Sequence, residues 1–458
     1  MSRLEDRMGI TSQPAPGREP DAGLPDPVPL LSQRQTAVFG ALMVMLGPIS
    51  LALYTPAMPA MVAAFDTSMV TIKLTVTVFF LGFAFSQLVC GPLSDAYGRR
   101  PVALGFFGIY LAGSVVAMLA PTVSWLIAAR ALQGIGCAAG IAVSRAIVRD
   151  QYAGHASATI MNLIGTILAI GPAVSPTLGG VLFSLAGIDA IFVAMAAYGL
   201  VLVALVVLVV PETNRAPQPG LARPAAMARS YGTLLASAAF MRPALVVGGG
   251  LGGIYTLAAL LPFILIDDLK LSPVAFGLTM LVQTGSFMTG SIVAGLLMKR
   301  MRAERIVPIG IAMMLAGALG LAVGLRLLPV TPLTVMTWVG FWAAGIGLFL
   351  PGCTTGALAG FPHIAGAASA LLGFLQIGGG FLGTVIAALL PSPFFALTTL
   401  MPTLALAAAL SYVLLRPGHA AAPQTEPDAA DLGLAADPIG VVGAAGDEIE
   451  AERIARNS

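Results

Sequence analysis

Chemistry-bearing side chains are sparse in this sequence, and two groups stand out by type and spacing. The first is the decapeptide Gly91-Pro92-Leu93-Ser94-Asp95-Ala96-Tyr97-Gly98-Arg99-Arg100, set between two long apolar runs. Asp95 and Arg99 lie four residues apart, a spacing at which they pair if the segment is helical. Gly98 permits a tight approach before Pro101 opens the next run. The second group is Arg130 with Gln133, one helical turn apart inside an apolar run. Both need polar partners there, because a charge facing hydrocarbon costs about 2.5 to 3.5 kcal/mol on insertion scales. Neither group is built for making bonds. The histidines His155, His363 and His419 are scattered, no phosphate-binding glycine loop occurs, and Cys90, Cys137 and Cys353 have neither disulfide nor metal-site spacing. What remains for these residues is to hold, pair and exchange charge in a low-dielectric medium.

The elements that must position them are membrane spans. Of 458 residues, 57% are hydrophobic and only 10% charged, with a mean hydropathy of +0.92. No water-soluble fold hides so much apolar surface. Apolar runs occupy 36–60, 71–89, 101–120, 124–144, 158–182 and 189–210, and again 243–264, 275–298, 306–325, 333–355, 366–390 and 394–415. Each approaches or exceeds the roughly 20 residues that carry a helix across hydrocarbon. Helix is forced, since spans of this length satisfy their backbone internally and barrel strands are about half as long. The expected fold is therefore an all-α membrane protein of twelve transmembrane helices in two six-helix bundles, over 35–211 and 243–415. A cytoplasmic linker at 212–242 joins them, and disordered cytoplasmic tails at 1–34 and 416–458 flank them.

Arg99, Arg100, Arg145, Arg149, Arg215, Arg223, Arg229, Arg242, Lys299, Arg300, Arg302 and Arg305 all fall on one side if the N-terminal tail is cytoplasmic. The opposite loops or their edges hold only Lys73, Lys270 and Arg326. This imbalance predicts both termini in the cytoplasm. A net charge of +2 with dispersed arginines gives no reason to expect nucleic-acid binding. A fainter copy of the first motif, Gly295-Leu296-Leu297-Met298-Lys299-Arg300-Met301-Arg302, follows the eighth run without the aspartate. It fits either an internal repeat or a loop made basic by topology alone.

The decapeptide resembles the loop motif G-x-L-[SA]-D-x-x-G-R-[RK] between the second and third helices of the major facilitator superfamily, with every specified position matched. The resemblance implies alternating access, with Gly91, Asp95, Gly98, Arg99 and Arg100 in gating. Arg130-Ala131-Leu132-Gln133-Gly134 is similar to the fourth-helix R-x-x-Q-G associated there with proton coupling. Gly171-Pro172, Pro176 and Gly179-Gly180 resemble, with altered spacing, the antiporter signature of drug exporters. Tyr54-Thr55-Pro56-Ala57-Met58-Pro59 looks like the end of helix one in the bicyclomycin- and chloramphenicol-resistance branch. Many members carry Asp two residues before the tyrosine, where this chain has Ala52. No Asp or Glu stands near the middle of any run, so a coupling path is expected to use Arg130 and Gln133 with interfacial Asp150 or Asp95, or the charge of the substrate itself.

A central cavity is expected from Tyr54, Phe79, Phe83, Asn162, Tyr255, Gln283, Trp338 and Gln376, the aromatic and polar residues available inside the runs. Such a lining favours an apolar, neutral or weakly polar compound over a multiply charged cation. The expectation is an exporter, not an enzyme, of small amphipathic drugs in the bacterial inner membrane, exchanging cargo for protons. It would work as a monomer among lipids, with no cofactor and no metal. Transport of an endogenous metabolite on the same scaffold, inward or outward and without proton coupling, stays open beside it. A channel would show a charge ring or four-fold repeat, and neither is present.

Overall fold

The computed structural model describes residues 29–152, 154–217, 220, 223–361 and 364–415, without the side chains of 154, 155, 158, 162 and 165–170. Every regular element among them is helical: α1 (Gln33–Ala52), α2 (Met58–Ala64), α3 (Met69–Tyr97), α4 (Arg99–Met118), α5 (Val123–Gln151) and α6 (Gly154–Leu208), then α7 (Pro224–Ala236), α8 (Ala238–Pro262), α9 (Pro273–Met298), α10 (Ala303–Leu319), α11 (Leu325–Leu327), α12 (Pro332–Ala359), α13 (Ala365–Leu389) and α14 (Pro393–Leu414). Hydroxyls set where several of these begin. Ser32, Ser68, Ser272, Thr331 and Ser392 each accept the backbone N–H three residues on, at 3.1 to 3.3 Å. They satisfy donors that a helix start otherwise leaves open.

Among the described residues, eleven helices are long and apolar enough to cross a membrane. The twelfth crossing comes from α6, whose 55 residues would reach about 80 Å if straight, more than twice a bilayer core. Its backbone leaves helical geometry at Ala186 and at Gly187, where φ is +74°. Neighbours on α1 show that the chain turns back there. Ile164 meets Gly40 and Gly171 faces Met45, so the first limb climbs beside α1; the Tyr198 hydroxyl then donates to the Leu42 carbonyl at 2.7 Å, back near the start.

Two cores hold the two halves. One gathers Met43, Tyr54, Phe79, Phe83, Tyr110, Phe192 and their neighbours; the other gathers Val246, Phe276, Met314, Trp342, Phe349 and Met401. The halves meet along two seams, α3 against α13 and α6 against α9. A β-carbon on Gly180 would strike the Pro273 carbonyl, and one on Gly277 would strike Thr177. The small residues therefore allow backbones to touch across the second seam.

The structure corrects three expectations. The disordered N-terminal tail cannot extend to residue 34, because Leu31 is buried, donates its N–H to Gln151 Oε1 at 2.9 Å and accepts from the Tyr152 hydroxyl. The linker is shorter than 212–242 and holds a helix: α7 lies within it, the Tyr231 hydroxyl donates to the Leu88 carbonyl at 2.6 Å, and α8 starts at Ala238 rather than 243. Lys73, expected at a loop edge, is 3% exposed with its ammonium 5.4 Å from the Phe263 ring centre. The expected tail before residue 29 and the one after 415 lie outside the described residues.

Candidate functional site

The first cluster sits where α3 hands over to α4 through a single residue. Gly98 has φ +101° and ψ 155°, a conformation open essentially to glycine, and a β-carbon there would come within 2.6 Å of Glu212 Oε2. That tight join brings Asp95 and Arg99 onto adjacent turns. The Arg99 guanidinium is largely buried and donates to Asp95, to Ser94 Oγ at 2.9 Å, and to Asp150 through Nε at 2.8 Å and Nη2 at 3.2 Å. A planar fork on a carboxylate fixes angle as well as distance.

Residues after α6 complete the arrangement. Glu212 accepts the backbone N–H of Arg99 at 2.9 Å and of Arg100 at 3.0 Å, capping the start of α4 with a carboxylate. Thr213 donates to Asp150 at 2.9 Å, and Asn214 donates to the Asp95 carbonyl at 2.9 Å. Arg100 takes a different job and donates to the Val206 and Val207 carbonyls at the end of α6. The first half is thus laced at one end by its own charges. A cavity of about 380 Å³ lies over the lacing, lined by Asp95, Arg99, Arg149, Asp150 and Asn214 and, from the other half, by Gly366 at the start of α13. A β-carbon on Gly366 would stand 3.9 Å from Asp95 Oδ2. Asp95 therefore faces both its own arginine and the amino end of a helix across the seam. Gly91 has open space around it.

The second cluster is interior. Arg130 is wholly buried, with its guanidinium carbon 4.5 Å from the Tyr54 ring centre and 4.3 Å from that of Phe79. Nη1 donates to Gln133 Oε1 at 2.7 Å and reaches the Ser50 carbonyl at 3.4 Å. Gln133 in turn donates to Ser114 Oγ at 2.8 Å, and the Ser50 and Tyr110 hydroxyls share a 2.6 Å bond. Tyr54 is held by Thr75 at 2.7 Å. Two aromatic faces supply part of what hydration would give the cation.

Asp150 is not part of this group. It lies twenty residues along the same helix, which at the rise of an α-helix is about 30 Å, and its partners are Arg99 and Thr213. The expected coupling set of Arg130, Gln133 and Asp150 therefore divides between the two clusters.

The other expected cavity residues separate as well. Phe79 and Phe83 stack at 6.0 Å inside the first half, and Tyr255 meets Phe80 across the seam at 5.0 Å. Gln283 and Gln376 are half-buried on α9 and α13. Trp338 is placed otherwise than expected: it packs in the groove left by Gly320 and Gly324, joining α12 to the π-helical turn after α10 within the second half. The side chain of Asn162 lies outside those described. Gly171, Pro172 and Pro176 sit on the limb of α6 that runs beside α1, and Thr177 next to Pro176 meets Gly277 of α9.

A family model described as Major Facilitator Superfamily matches residues 40–384. The chain belongs to that superfamily. Among the superfamily's transporters, the uncharacterized YdgK of Bacillus subtilis is 30% identical over 76% of this chain and 86% of its own. A chloramphenicol resistance protein from Pseudomonas aeruginosa is 29% identical over 76% of this chain and 82% of its own. The xylose transporter XylE of E. coli superposes with a TM-score of 0.65 at 14% identity, over 85% of this chain and 99% of that one. The protein is thus a multi-pass membrane transporter on the major facilitator fold, similar to the bicyclomycin- and chloramphenicol-resistance branch.

Several residues that build these clusters carry no local signal. Glu212, Thr213 and Asn214 are more than a hundred positions from the motif they close, and nothing in a polar linker marks them out. Gln87 is another: it is buried on α3 beside Gly373 of α13, with its amide nitrogen unpartnered. A glutamine inside an apolar run was the available clue.

Proposed function

We propose that this protein is a secondary exporter that moves small amphipathic compounds, of the kind that resistance transporters remove, out of the cytoplasm by alternating access. The observation that carries the reading is the seam between α6 and α9, where Gly180 and Gly277 bring backbone onto backbone across the halves. The helix bearing the exporter-like glycine and proline pattern is the one on which the second half rests. Glycine contacts slide and part without unpacking large side chains, which suits a surface about which two rigid bundles rock.

The charged lacing at Gly98 serves as the cytoplasmic latch in this mechanism. With Asp95 turned to the amino end of α13, the latch end stays shut; when the halves part there, the carboxylate is left with Arg99 alone. The reading places both termini in the cytoplasm of a bacterial cell, with the protein working as a monomer in the inner membrane and lipids against its outer faces. Cargo would sit between Tyr54, Phe79, Phe83, Tyr255 and Gln376. Proton antiport is the coupling that the family resemblance supports, and the carboxylates available to it are Asp95 and Asp150.

One observation supports the second reading, a metabolite carrier without proton coupling. The buried ionisable side chains among the described residues include Lys73, Arg99 and Arg130 but no Asp or Glu. An interior without a carboxylate has no evident group to carry a proton midway.

The test is a deletion strain and a complemented strain challenged with a panel of antibiotics and dyes, with Arg130→Ala as control. Export gives resistance that returns only with the intact gene. Greater sensitivity in the complemented strain, or growth on an imported compound, gives the metabolite reading instead.

A further inference from the structure

Among the described residues no carboxylate pairs with Arg130. Its Nε and Nη2 are shut off from solvent and have no acceptor, which leaves three N–H bonds of a buried cation unmade. An uncompensated donor in a dry interior costs about 1 to 3 kcal/mol, more when charged. The surrounding groups do not relieve it: Gln133 is spent on Nη1, and the Tyr54 and Phe79 rings, centred 4.5 and 4.3 Å from the guanidinium carbon, accept no hydrogen bond from Nε or Nη2. What is left unpaired is one edge, Nε with Nη2. That edge presents two parallel donors, the geometry that takes a carboxylate by two oxygens or a halide between two hydrogens.

Charge elsewhere in the interior has the same sign. Lys73, buried on α3, has the Phe263 ring for a neighbour and, among the described residues, no carboxylate within ion-pair distance. Among the described residues, the buried arginine that does meet carboxylates is Arg99, at the latch. An interior with two unpaired cations and, among the described residues, no buried Asp or Glu repels cations and holds anions.

We propose that the Nε and Nη2 edge of Arg130 is a binding site for a monoanion, supplied either as the carboxylate of an anionic cargo or as an inorganic halide that neutralises the site. In this structure the edge is enclosed by side chains of the first half, and loading requires that enclosure to open. This deepens the transport reading by naming the charge of what enters, and rests on it only for the word cargo; binding at the site is measurable with no transport at all.

The experiment uses the purified full chain in detergent, replacing sucrose stepwise by sodium chloride or by sodium benzoate at constant osmolality and reading the melting temperature. Two variants accompany it. Arg130→Gln removes the donors, and Gln133→Glu, close to isosteric, puts a carboxylate where the Oε1 atom now sits 2.7 Å from Nη1. The wild type is expected to gain a saturable rise in melting temperature. In either variant half-saturation should weaken by about tenfold or more, the worth of losing one charged hydrogen bond. A rise with chloride but not benzoate identifies the halide; a rise with benzoate alone identifies the cargo carboxylate; a rise with both identifies a general monoanion site. No saturable rise in the wild type, or an equal rise in whichever variants purify, overturns the proposal. A positive shift alongside a negative drug panel would leave the anion site standing while the export reading falls.

Discussion

Arg99 grips Asp150 at two points, Nε to Oδ2 at 2.8 Å and Nη2 to Oδ1 at 3.2 Å, tying the start of α4 to the end of α5. The pair is partly exposed on the aspartate side, so its worth lies between that of a surface bridge and a buried one. Asp150→Asn keeps the shape and removes the charge. We expect the latch end to spend more time open, by about tenfold if one charged hydrogen bond is lost. Ser369→Cys, on α13 opposite Arg145, should then label faster with an impermeant maleimide. The native cysteines are buried and give little background. Unchanged labelling would remove the latch role from this pair.

Gly98→Ala should destabilise by about 1 to 3 kcal/mol, because φ +101° with ψ 155° is strained for any side chain. The β-carbon also meets Glu212 at 2.6 Å. Adding Glu212→Ala relieves the collision but not the backbone, so the double variant should regain no more than part of the lost melting temperature. Full recovery would show that the conformation itself carries no cost.

Gly277→Val fills the α6 and α9 seam where Thr177 lies against it, whereas Gly285→Ala on the same helix enters open space. The valine should hold the halves apart at that end and cut transport by about tenfold or more, since overpacking costs about 1 to 3 kcal/mol. The alanine should change neither transport nor stability noticeably. Equal effects of the two would mean that the seam is not where the halves move. Transport assays of both variants at matched expression decide it.

Arg130→Ala leaves Gln133 without its donor and two rings without their cation, and should abolish accumulation against a gradient. Arg130→Lys keeps the charge but neither the planar fork nor the full stacking, so recovery should be partial. Lysine restoring full uphill transport in vesicles would show that charge alone matters at this position.

The spans and the latch motif were legible because their physics is local. Twelve long apolar runs leave few folds, and Asp95, Gly98 and Arg99 act within a turn of one another. Glu212 was not legible, since its carboxylate reaches the motif only after four further spans have returned the chain to the same end. Asp150 was expected at the interface, but its partners Arg99 and Thr213 come from other parts of the chain, which its place in α5 does not reveal. Trp338 was misread for another reason. A helix apolar on all sides has no periodicity to tell its inner face from its outer one, and the clue lay in Gly320 and Gly324, spaced one turn apart on the helix that receives it.

The most direct test of export is uptake into everted membrane vesicles of a labelled compound from the panel to which the intact gene restores resistance. Energised vesicles carrying the wild type should concentrate the compound inside, vesicles with Arg130→Ala should only equilibrate, and an imposed pH gradient at zero potential should drive the uptake if protons are the counter-ion. Accumulation only in right-side-out vesicles, or equal accumulation with and without the protein, would contradict outward transport.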